Sequence, residues 1–223
     1  MADGIETLNL RGAAVLGQGN AGANTITGNG VANLIEAGDD DDTVGSGAGA
    51  DTLWGEDGND SLTGDRGDDW LSGEAGLDTL SGGEGRDTLL GGAGNDSLLG
   101  GDLGDLISGD GGADVMTGSG GRDVFVYAFA TDSGIATGLR DQITDFVSGT
   151  DVIDLSQMDA REATPGNQAF TLVAAFTGAS GQLVLRNAGG VGFLEGDVTG
   201  DGIADFSIRL GTTIVLVPND LIL

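Results

Sequence analysis

The amino-acid sequence predicts an all-β protein, in which a parallel β-roll is followed by a β-sandwich-like cap. A nine-residue unit repeats twelve times without insertion over residues 19–126, and the eighth place of every unit is large and apolar. After residue 126 the glycine content falls, and short apolar runs are separated by Gly, Asp and Asn. Such runs, rich in β-branched residues, are typical of strands.

The repeat reads Gly-Gly-x-Gly-x-Asp-x-U-x, where U is the large apolar residue, and its cleanest copies span 82–90 and 91–99. Its glycine-rich half favours a tight turn, because glycine adopts positive φ at little steric cost. The last three or four residues favour a short strand with U pointing inward. Two units then form one coil of 18 residues, and strands stack about 4.8 Å apart in two parallel sheets.

The sixth place of every unit is Asp or Asn, and residues 18 apart stack along one edge of the roll. One edge carries Asn24, Asp42, Asp60, Asp78, Asp96 and Asp114, and the other carries Asn33, Asp51, Asp69, Asp87, Asp105 and Asp123. Carboxylates about 5 Å apart repel one another unless a cation lies between them. Carboxylate and carbonyl oxygens suit Ca²⁺ better than Mg²⁺, and the absence of Cys and His argues against zinc and copper.

This repeat resembles that of the RTX (repeats-in-toxin) proteins, whose units form a calcium-bound parallel β-roll. The resemblance implies that each ion lies between turns of neighbouring coils, held by the repeat Asp and by turn carbonyls. It implies about eight Ca²⁺ ions in the roll. A disordered Gly/Asp-rich linker is the alternative, but such a linker would not keep U apolar in twelve units. The turn glycines assigned to these sites are Gly47, Gly49, Gly55, Gly58, Gly64, Gly67, Gly73, Gly76, Gly83, Gly85, Gly92, Gly94, Gly101, Gly112 and Gly121.

Some residues depart from the repeat. Asp40 and Leu103 replace the third glycine of their units, and leucine tolerates a left-handed backbone poorly, so a distorted site is expected at Leu103. Asn24 and Asn33 are neutral, so the first coil is expected to bind calcium weakly or to serve as a cap.

The flanks of the repeat define two further regions. Residues 1–18 are expected to form an irregular coil that caps the open end of the roll, since an uncovered sheet edge invites aggregation. Residues 127–223 are expected to form the cap. Its predicted strands lie within Ile143–Val147, Val152–Leu155, Phe170–Phe176, Leu183–Leu185, Ile203–Leu210 and Ile214–Val217.

The segments Asp141–Ser156 and Gly196–Phe206 resemble the domain that follows the repeats in serralysin-type secreted metalloproteases. The ending at 220–223, an acid followed by three apolar residues, resembles their C-terminal type I secretion signal. The resemblance implies an extracellular protein that uses a type I exporter. Serralysins are zinc proteases with a His-Glu-x-x-His site, which this chain lacks because it contains no histidine.

A second acidic pattern lies in the predicted cap. Asp197, Asp201 and Asp205, with Thr199, follow the spacing of the first half of an EF-hand loop, but the bidentate Glu of position 12 is replaced by Ile208. Weak calcium ligation and an ordinary Asp/Gly hairpin turn are the two interpretations. For Asp145, Asp151 and Asp154, the two interpretations are ion binding and turn capping.

Composition limits the function. The chain has 36 acidic and 8 basic residues, a net charge of −28, and neither Cys, His nor Lys. This charge argues against nucleic acid and anionic membranes as partners, and no apolar run is long enough to span a membrane. Catalytic triads, cysteine nucleophiles and Schiff-base lysines are excluded. A glycosidase carboxylate pair is disfavoured, because calcium accounts for the acids in the turns.

Two non-enzymatic functions therefore remain. One is the calcium-folded secretion module of a larger exoprotein with an upstream catalytic domain. The other is a stand-alone secreted calcium-binding surface or adhesion protein. The predicted register places Trp54, Trp70 and Leu90 on one outer face, as part of an apolar stripe. We expect this stripe to be covered, either by the cap near Leu106–Val126 or by a partner near the two tryptophans. That partner is an upstream domain, a second copy of the chain or a sugar, whereas ordinary strand preference for aromatic residues is the plain alternative.

Overall fold

A computed structural model describes residues 6–160 and 168–223. The repeat region and its N-terminal flank contain strands β1 to β14. Their bounds are β1 (Thr7–Asn9), β2 (Leu16–Gln18), β3 (Thr25–Asn29), β4 (Leu34–Glu36), β5 (Thr43–Gly47), β6 (Thr52–Asp57), β7 (Ser61–Arg66), β8 (Trp70–Ala75), β9 (Thr79–Glu84), β10 (Thr88–Ala93), β11 (Ser97–Asp102), β12 (Leu106–Gly111), β13 (Val115–Ser119) and β14 (Val124–Val126).

The C-terminal region contributes a short 3-10 helix at Ala130–Asp132 and seven strands. These are β15 (Gln142–Ile143), β16 (Val152–Asp154), β17 (Thr171–Val173), β18 (Gln182–Ala188), β19 (Val191–Asp197), β20 (Phe206–Leu210) and β21 (Leu221–Ile222). No helix within the described residues is long and apolar enough to cross a membrane.

Two sheets run the length of the molecule. The first holds β1, β3, β5, β7, β9, β11, β13 and β15, then β20, β19, β18 and β17, whereas the second holds the even-numbered strands from β2 to β16, then β21. Within the roll, neighbouring strands are parallel and each residue pairs with the one 18 positions on, as in Leu62↔Leu80 and Leu89↔Ile107. The predicted all-β fold with a parallel roll of 18-residue coils is therefore confirmed.

The cap continues both layers of the roll. Strand β20 pairs parallel to β15, β19 lies antiparallel between β18 and β20, and β21 pairs parallel to β16. The eighth-place residues, from Ile26 to Phe125, are at most 1% exposed, and they join cap residues such as Leu194 and Ile208 in one core. Because both sheets pass unbroken from roll to cap, the division into 1–18, 19–126 and 127–223 stays a prediction.

The strands of the roll are longer than the predicted three or four residues. A central strand such as β8 spans six, covering places seven to nine of one unit and one to three of the next. The first glycine of a unit therefore lies inside a strand and faces inward, while φ is positive at the second and fourth places, as at Gly83 and Gly85. The turn is thus confined to the middle of the repeat.

The expected strand at Ile214–Val217 is not formed. The N–H and C=O groups of Ile214 bond the side-chain amide of Asn187 at 3.0 and 2.9 Å, and the Val215 carbonyl accepts the Ser148 hydroxyl at 2.8 Å. Backbone groups held by side chains in this way are unavailable for a strand ladder. The strand that closes the second sheet is β21, inside the predicted secretion signal.

Candidate metal centre: the aspartate ladders

The sixth-place aspartates form two continuous hydrogen-bonded ladders. In each ladder, Oδ1 of an Asp accepts the backbone N–H of the sixth-place residue one coil earlier, as from Asp60 to Asp78 and from Asp69 to Asp87, both at 2.8 Å. The ten aspartates from Asp42 to Asp123 are at most 3% exposed. The sequence therefore placed these ten side chains correctly on the two edges of the roll.

In nine of these ten aspartates, the second carboxylate oxygen has no hydrogen-bond partner in the described part of the chain. Oδ2 is buried without a hydrogen bond, among the described residues, in Asp42, Asp51, Asp60, Asp69, Asp78, Asp87, Asp96, Asp105 and Asp114. A buried carboxylate oxygen of this kind costs free energy unless it is protonated or bound to a cation. The row of orphaned oxygens is consequently the strongest local indication of metal binding.

Electrostatics agree with that geometry. Burial is the largest cause that raises the pKa of Asp42, Asp69 and Asp96 to about 6 and of Asp60, Asp105 and Asp114 to about 7. Neighbouring carboxylates add to the rise, while the ladder hydrogen bonds oppose it. Near neutral pH, the calcium-free ladders therefore hold many carboxylates that resist ionisation.

In the central units of the roll, the first glycine makes room for the orphaned oxygen. A Cβ atom on Gly73 would collide with Oδ2 of Asp78 and would lie 2.7 Å from the carbonyl oxygen of Gly91, one coil further on. The same pairing of a carboxylate and a carbonyl oxygen surrounds Gly55, Gly64, Gly82, Gly91 and Gly100. Each cradle thus joins one carboxylate oxygen to one main-chain oxygen of the next coil, both of them ligands that Ca²⁺ prefers.

The fourth glycine of a unit is required for a different reason. At Gly76 and Gly94 the backbone φ is +155° and +149°, and a Cβ would overlap a carbonyl oxygen of the preceding coil. Successive turns therefore pack main chain against main chain. Leu103 occupies this place with φ of 70° and a side chain that is 58% exposed, so the left-handed turn forms there despite the strain that leucine carries.

The sequence identified only some of the glycines that shape the turns and the cradles. The assigned glycines of the second and fourth places have the positive φ that the turns require. Among them are Gly47, Gly49, Gly58, Gly67, Gly92, Gly101, Gly112 and Gly121. Sequence reasoning missed the cradles at Gly82, Gly91 and Gly100. The first place of the consensus is a signal for them, since a glycine inside a strand marks a close approach.

The donor set fits a hard cation without a carboxylate cluster. Within the described residues, no three acidic side chains converge as metal ligands. A cation on a ladder would therefore combine one or two carboxylates with main-chain carbonyl oxygens of the turns. That combination is suited to the flexible oxygen coordination of Ca²⁺ and unsuited to zinc or copper.

The first coil is built differently. The carbonyl oxygen of the Asn24 side chain accepts the N–H of Asn20, and its amide donates to the Gly22 carbonyl. The Asn33 side chain likewise accepts from Asn29 and donates to the Ala14 carbonyl. Side-chain amides therefore satisfy these turns directly, which supports the expectation of weak binding or capping at Asn24 and Asn33.

The ladders extend beyond the repeats at the opposite end. Oδ1 of Asp141 accepts the N–H of Asp114 at 2.9 Å, and Oδ2 of Asp141, near the buried hydroxyl of Tyr127, has no partner at hydrogen-bond distance among the described residues. Burial and the Asp114 carboxylate raise the pKa of Asp141 to about 8. Sequence reasoning missed this residue because it follows Asp114 by 27 positions, although its place before the apolar Ile143 imitates a sixth-place Asp.

The other edge is closed by Asp151. Its Oδ1 accepts the N–H of Asp123 at 3.2 Å and its Oδ2 accepts the N–H of Val147 at 2.7 Å. Asp145 bonds the N–H groups of Gly118 and Ser119. Both side chains therefore cap the last coil, in agreement with the turn-capping interpretation.

The EF-hand-like loop lies between β19 and β20. Asp197 accepts the N–H groups of Gly200 and Gly202, and Asp205 accepts those of Val198 and Thr199. Asp201 accepts the N–H of Ile203 at 2.8 Å. These carboxylates are satisfied by main-chain donors, which supports the hairpin-turn interpretation over calcium ligation.

The tryptophan face lies on the outer side of the second sheet. Trp54 and Trp70 are half-buried, and their ring centroids lie 5.3 Å apart. Leu90, on the next strand of the same sheet, is also half-buried. Leu106, which the cap was expected to cover, is 40% exposed. Val124 and Val126 are half-buried, and β16 and β21 extend the sheet at its edge, so covering of the stripe by the cap or by a partner stays a prediction.

Known proteins resemble part of the chain. Over 86 residues it is 43% identical to the metallopeptidase AprA of Pseudomonas marginalis, a match that covers 38% of this chain and 16% of AprA. Over 87 residues it is 42% identical to serralysin of Photorhabdus luminescens, covering 39% of this chain and 15% of that protein. The chain thus spans about a sixth of the length of these relatives.

Solved structures resemble the chain more weakly. The AlgE6R2 subunit of the mannuronan C5-epimerase from Azotobacter vinelandii is 25% identical with a TM-score of 0.45, covering 73% of this chain and 86% of that subunit. The AlgE6R3 subunit of the same enzyme is 22% identical with a TM-score of 0.31, covering 98% of this chain and 84% of that subunit. Similarity at this level identifies neither a ligand nor a substrate for the present chain.

The family model for the peptidase M10 serralysin C terminus matches residues 9–223. This match includes the roll, the ladders and the cap, and it agrees with the resemblance that the repeat and the two cap segments carry. The chain therefore belongs to the peptidase M10 serralysin C-terminal family and is, like that family, an extracellular RTX-repeat protein.

Proposed function

We propose that this chain is the calcium-binding RTX module of a larger secreted protein, exported unfolded by a type I exporter and folded by calcium outside the cell. The single observation that carries the proposal is the row of buried Oδ2 atoms beside glycine cradles along both edges of the roll, none of which has a hydrogen-bond partner within residues 6–160 and 168–223. Binding free energy at such sites is folding free energy, because the sites do not exist in the unfolded chain.

Ion number follows from the ladders. Ten sixth-place aspartates, five on each edge, form eight neighbouring pairs, which supports about eight ions in the roll. The buried pair formed by Asp114 and Asp141 adds one position of the same chemistry at the cap. When bound, Ca²⁺ supplies the positive charge that the stacked carboxylates lack, and the chain supplies the oxygen ligands.

Charge explains why the calcium-free chain would stay open during export. With a net charge of −28, and with ladder aspartates whose pKa values are raised by burial, folding without a cation places many like charges in close rows. The core of the roll is only one apolar residue per unit, so its hydrophobic stabilisation is thin. Calcium-poor cytosol and calcium-rich medium then determine where folding occurs.

We assign no catalysis to this chain. The sequence contains neither histidine, cysteine nor lysine, and the matching family model describes the C-terminal part of the M10 serralysins. An upstream catalytic domain in the same protein is part of the proposal, because the chain covers only 15–16% of the relatives' length.

Circular dichroism during a calcium titration tests this function. In excess chelator at pH 8 we expect a largely unfolded chain, and Ca²⁺ should restore the strand signal cooperatively. Magnesium is the matched control, and it should restore much less structure, because it releases its bound water reluctantly. A full strand signal in chelator would refute calcium-dependent folding.

The tryptophan face supports a second candidate, in which the protein acts at a surface through a polysaccharide or protein partner. The observation that favours it is the paired, half-exposed Trp54 and Trp70 on an outer sheet face. An aqueous quencher should reach both indoles in dilute calcium-loaded protein and lose access at high concentration if a second copy covers them. Full quenching at every concentration would exclude a homodimer through this face.

A further inference from the structure

The outer face of the first sheet carries a small basic region in the cap of this acidic protein. Phe193 lies on β19 directly between Arg186 of β18 and Arg209 of β20, its two cross-strand neighbours. The row continues from Arg209 to Gln142 of β15. The guanidinium groups of Arg140 and Arg186 both lie over the same ring, with Cζ 5.0 and 5.2 Å from its centroid. Three of the chain's eight basic residues therefore meet at one half-buried aromatic ring.

These arginines are not equally neutralised. Arg186 is paired with Glu195 on the neighbouring strand, which leaves that pair without net charge. In the described part of the chain, no acidic side chain forms an ion pair with Arg140 or Arg209. The Nε atom of Arg140 is buried without a hydrogen-bond partner there, although its terminal nitrogen donates to the Ile135 carbonyl. A buried guanidinium nitrogen left in this way is a donor that an anion would satisfy.

A cavity of about 470 Å³ opens at this point. Its lining includes Arg140, Arg209, Phe193 and Gln142, together with Thr137 and the exposed Asn95. Asp114 also lies in the lining, but it is 1% exposed and its Oδ1 accepts the N–H of Asp96 within the ladder. The volume lies in the range of small-molecule sites, which combine an apolar wall with a few convergent polar groups. The ring of Phe193 supplies that wall, and the two guanidinium groups and the Gln142 amide supply the polar groups.

The chemistry of these groups selects a planar anion. Guanidinium donors form a fork that matches the two oxygens of a carboxylate, and such charge-assisted bonds are stronger than neutral ones. An aromatic ring beside them favours a ligand that also presents an apolar or C–H-rich face. Stacking of arginines to cover Phe193 is the plain alternative, but it does not account for the cavity or for the buried Nε donor of Arg140.

We propose that Arg140, Arg209 and Phe193 form a binding pocket for a carboxylate-bearing small ligand, hereafter the Phe193 pocket. The carboxylate bridges the two arginines, and the body of the ligand lies against the Phe193 ring. The carboxylate belongs either to an acidic sugar or to an acidic amino-acid side chain. This inference goes beyond the calcium module, since the pocket lies on the outer sheet face and uses cationic residues.

An NMR titration of the full calcium-loaded chain tests the pocket. The probes are glucuronate for the sugar source, N-acetyl-glutamate for the peptide source, and sulfate as an anion without a planar carboxylate. We expect saturable shifts of the Arg140 and Arg209 Nε–H signals and of the Phe193 amide, with a dissociation constant of about 1–10 mM for at least one acid. The tighter acid identifies the source of the carboxylate.

Matched variants distinguish binding at the Phe193 pocket from a general effect of positive charge. Arg209→Gln and Arg140→Gln should each weaken the bound acid about tenfold, whereas Arg86→Gln, which removes the same charge from an exposed turn of the roll, should not. Circular dichroism and calcium content confirm that each variant is folded. No saturable binding of either acid, equal affinity in all three variants, or sulfate binding as tight as the better acid would each overturn the proposal.

Discussion

Oδ1 of Asp78 accepts the backbone N–H of Asp60 at 2.8 Å, while Oδ2 of Asp78 is buried without a hydrogen bond in the part of the chain that the structure describes. One side chain therefore both fixes the register between neighbouring coils and presents an oxygen that only a proton or a cation satisfies. Stability of the roll and metal binding are consequently coupled at each step of the ladder.

Ladder position should determine how much calcium a substitution removes. Asp78→Ala and Asp87→Ala lie in mid-ladder, where each carboxylate serves the coils on both sides, so each should lose about two ions. Asn24→Ala, in the first coil, should lose fewer. Metal analysis after desalting measures the content, and Asp57→Ala, an exposed acid outside the ladders, controls for charge. Equal losses at all four positions would refute the register.

Acid should promote folding of the calcium-free chain. The folded-state pKa values of Asp60, Asp105 and Asp114 are about 7, above the ordinary value of 3.8, so the folded state binds more protons than the unfolded state between about pH 4 and 7. The free energy of unfolding must then fall as the pH rises through this window. In chelator, the strand signal should be larger at pH 5 than at pH 8.

Calcium affinity should show the opposite dependence on pH. Protons compete with the cation for the same carboxylate oxygens, so affinity should decrease as the pH falls through about 7 to 6. Calorimetric titrations at pH 8, 7 and 6, with an inert monovalent salt held constant, measure this effect. An affinity that does not change across the window would contradict ligation by the ladder aspartates.

Turn glycines should differ sharply in their tolerance of a methyl group. At Gly76, φ is +155° and a Cβ would overlap the Gly58 carbonyl oxygen, so Gly76→Ala should lower the free energy of unfolding by more than about 2 kcal/mol. Gly45 has open space around the Cβ position. Gly45→Ala should be neutral or slightly stabilising, by less than about 1 kcal/mol. Urea unfolding in saturating calcium compares the two, and similar losses would disprove the close packing of turns.

The C-terminal residues should have separate effects on folding and export. Asp220 is fully buried and accepts hydrogen bonds from Ser148, Gly149 and Val217 at 2.6 to 2.7 Å. Asp220→Ala should therefore lower the free energy of unfolding by about 3 kcal/mol, whereas Asp201→Ala in an exposed turn should lower it by less than about 1 kcal/mol. Urea unfolding in calcium makes this comparison.

Secretion assays distinguish the loss of the export signal from the loss of a folded contact. Deletion of 220–223 should lower secretion through a type I exporter, but it also removes β21 and exposes the edge of β16, so calcium binding near the cap is not expected to stay intact. Ser148→Ala weakens the folded contact with Asp220 and leaves the C-terminal sequence unchanged. Its secretion should equal that of the unmodified chain, because export precedes folding. Loss of secretion in Ser148→Ala would contradict export as an unfolded chain.

The sequence by itself determined everything that depends on the period of nine. Twelve in-phase units specified the 18-residue coil, the inward residues from Ile26 to Phe125 and the two edges on which the aspartates stack. A residue in a solenoid contacts mainly its counterparts one coil away, so local periodicity is enough to predict register. The composition likewise excluded the zinc chemistry of histidine and cysteine sites.

Tertiary structure alone decided the features that break the period. Asp141 joins the ladder across a 27-residue gap, β21 replaces the expected strand at Ile214–Val217, and Phe193 meets arginines from β18, β20 and the loop before β15. The orphaned Oδ2 atoms and the cradles at the first glycines also required coordinates. The contacts of Asp141, β21 and Phe193 join segments whose separation in sequence carries no repeat, so their spacing offers no physical signal until the chain is folded.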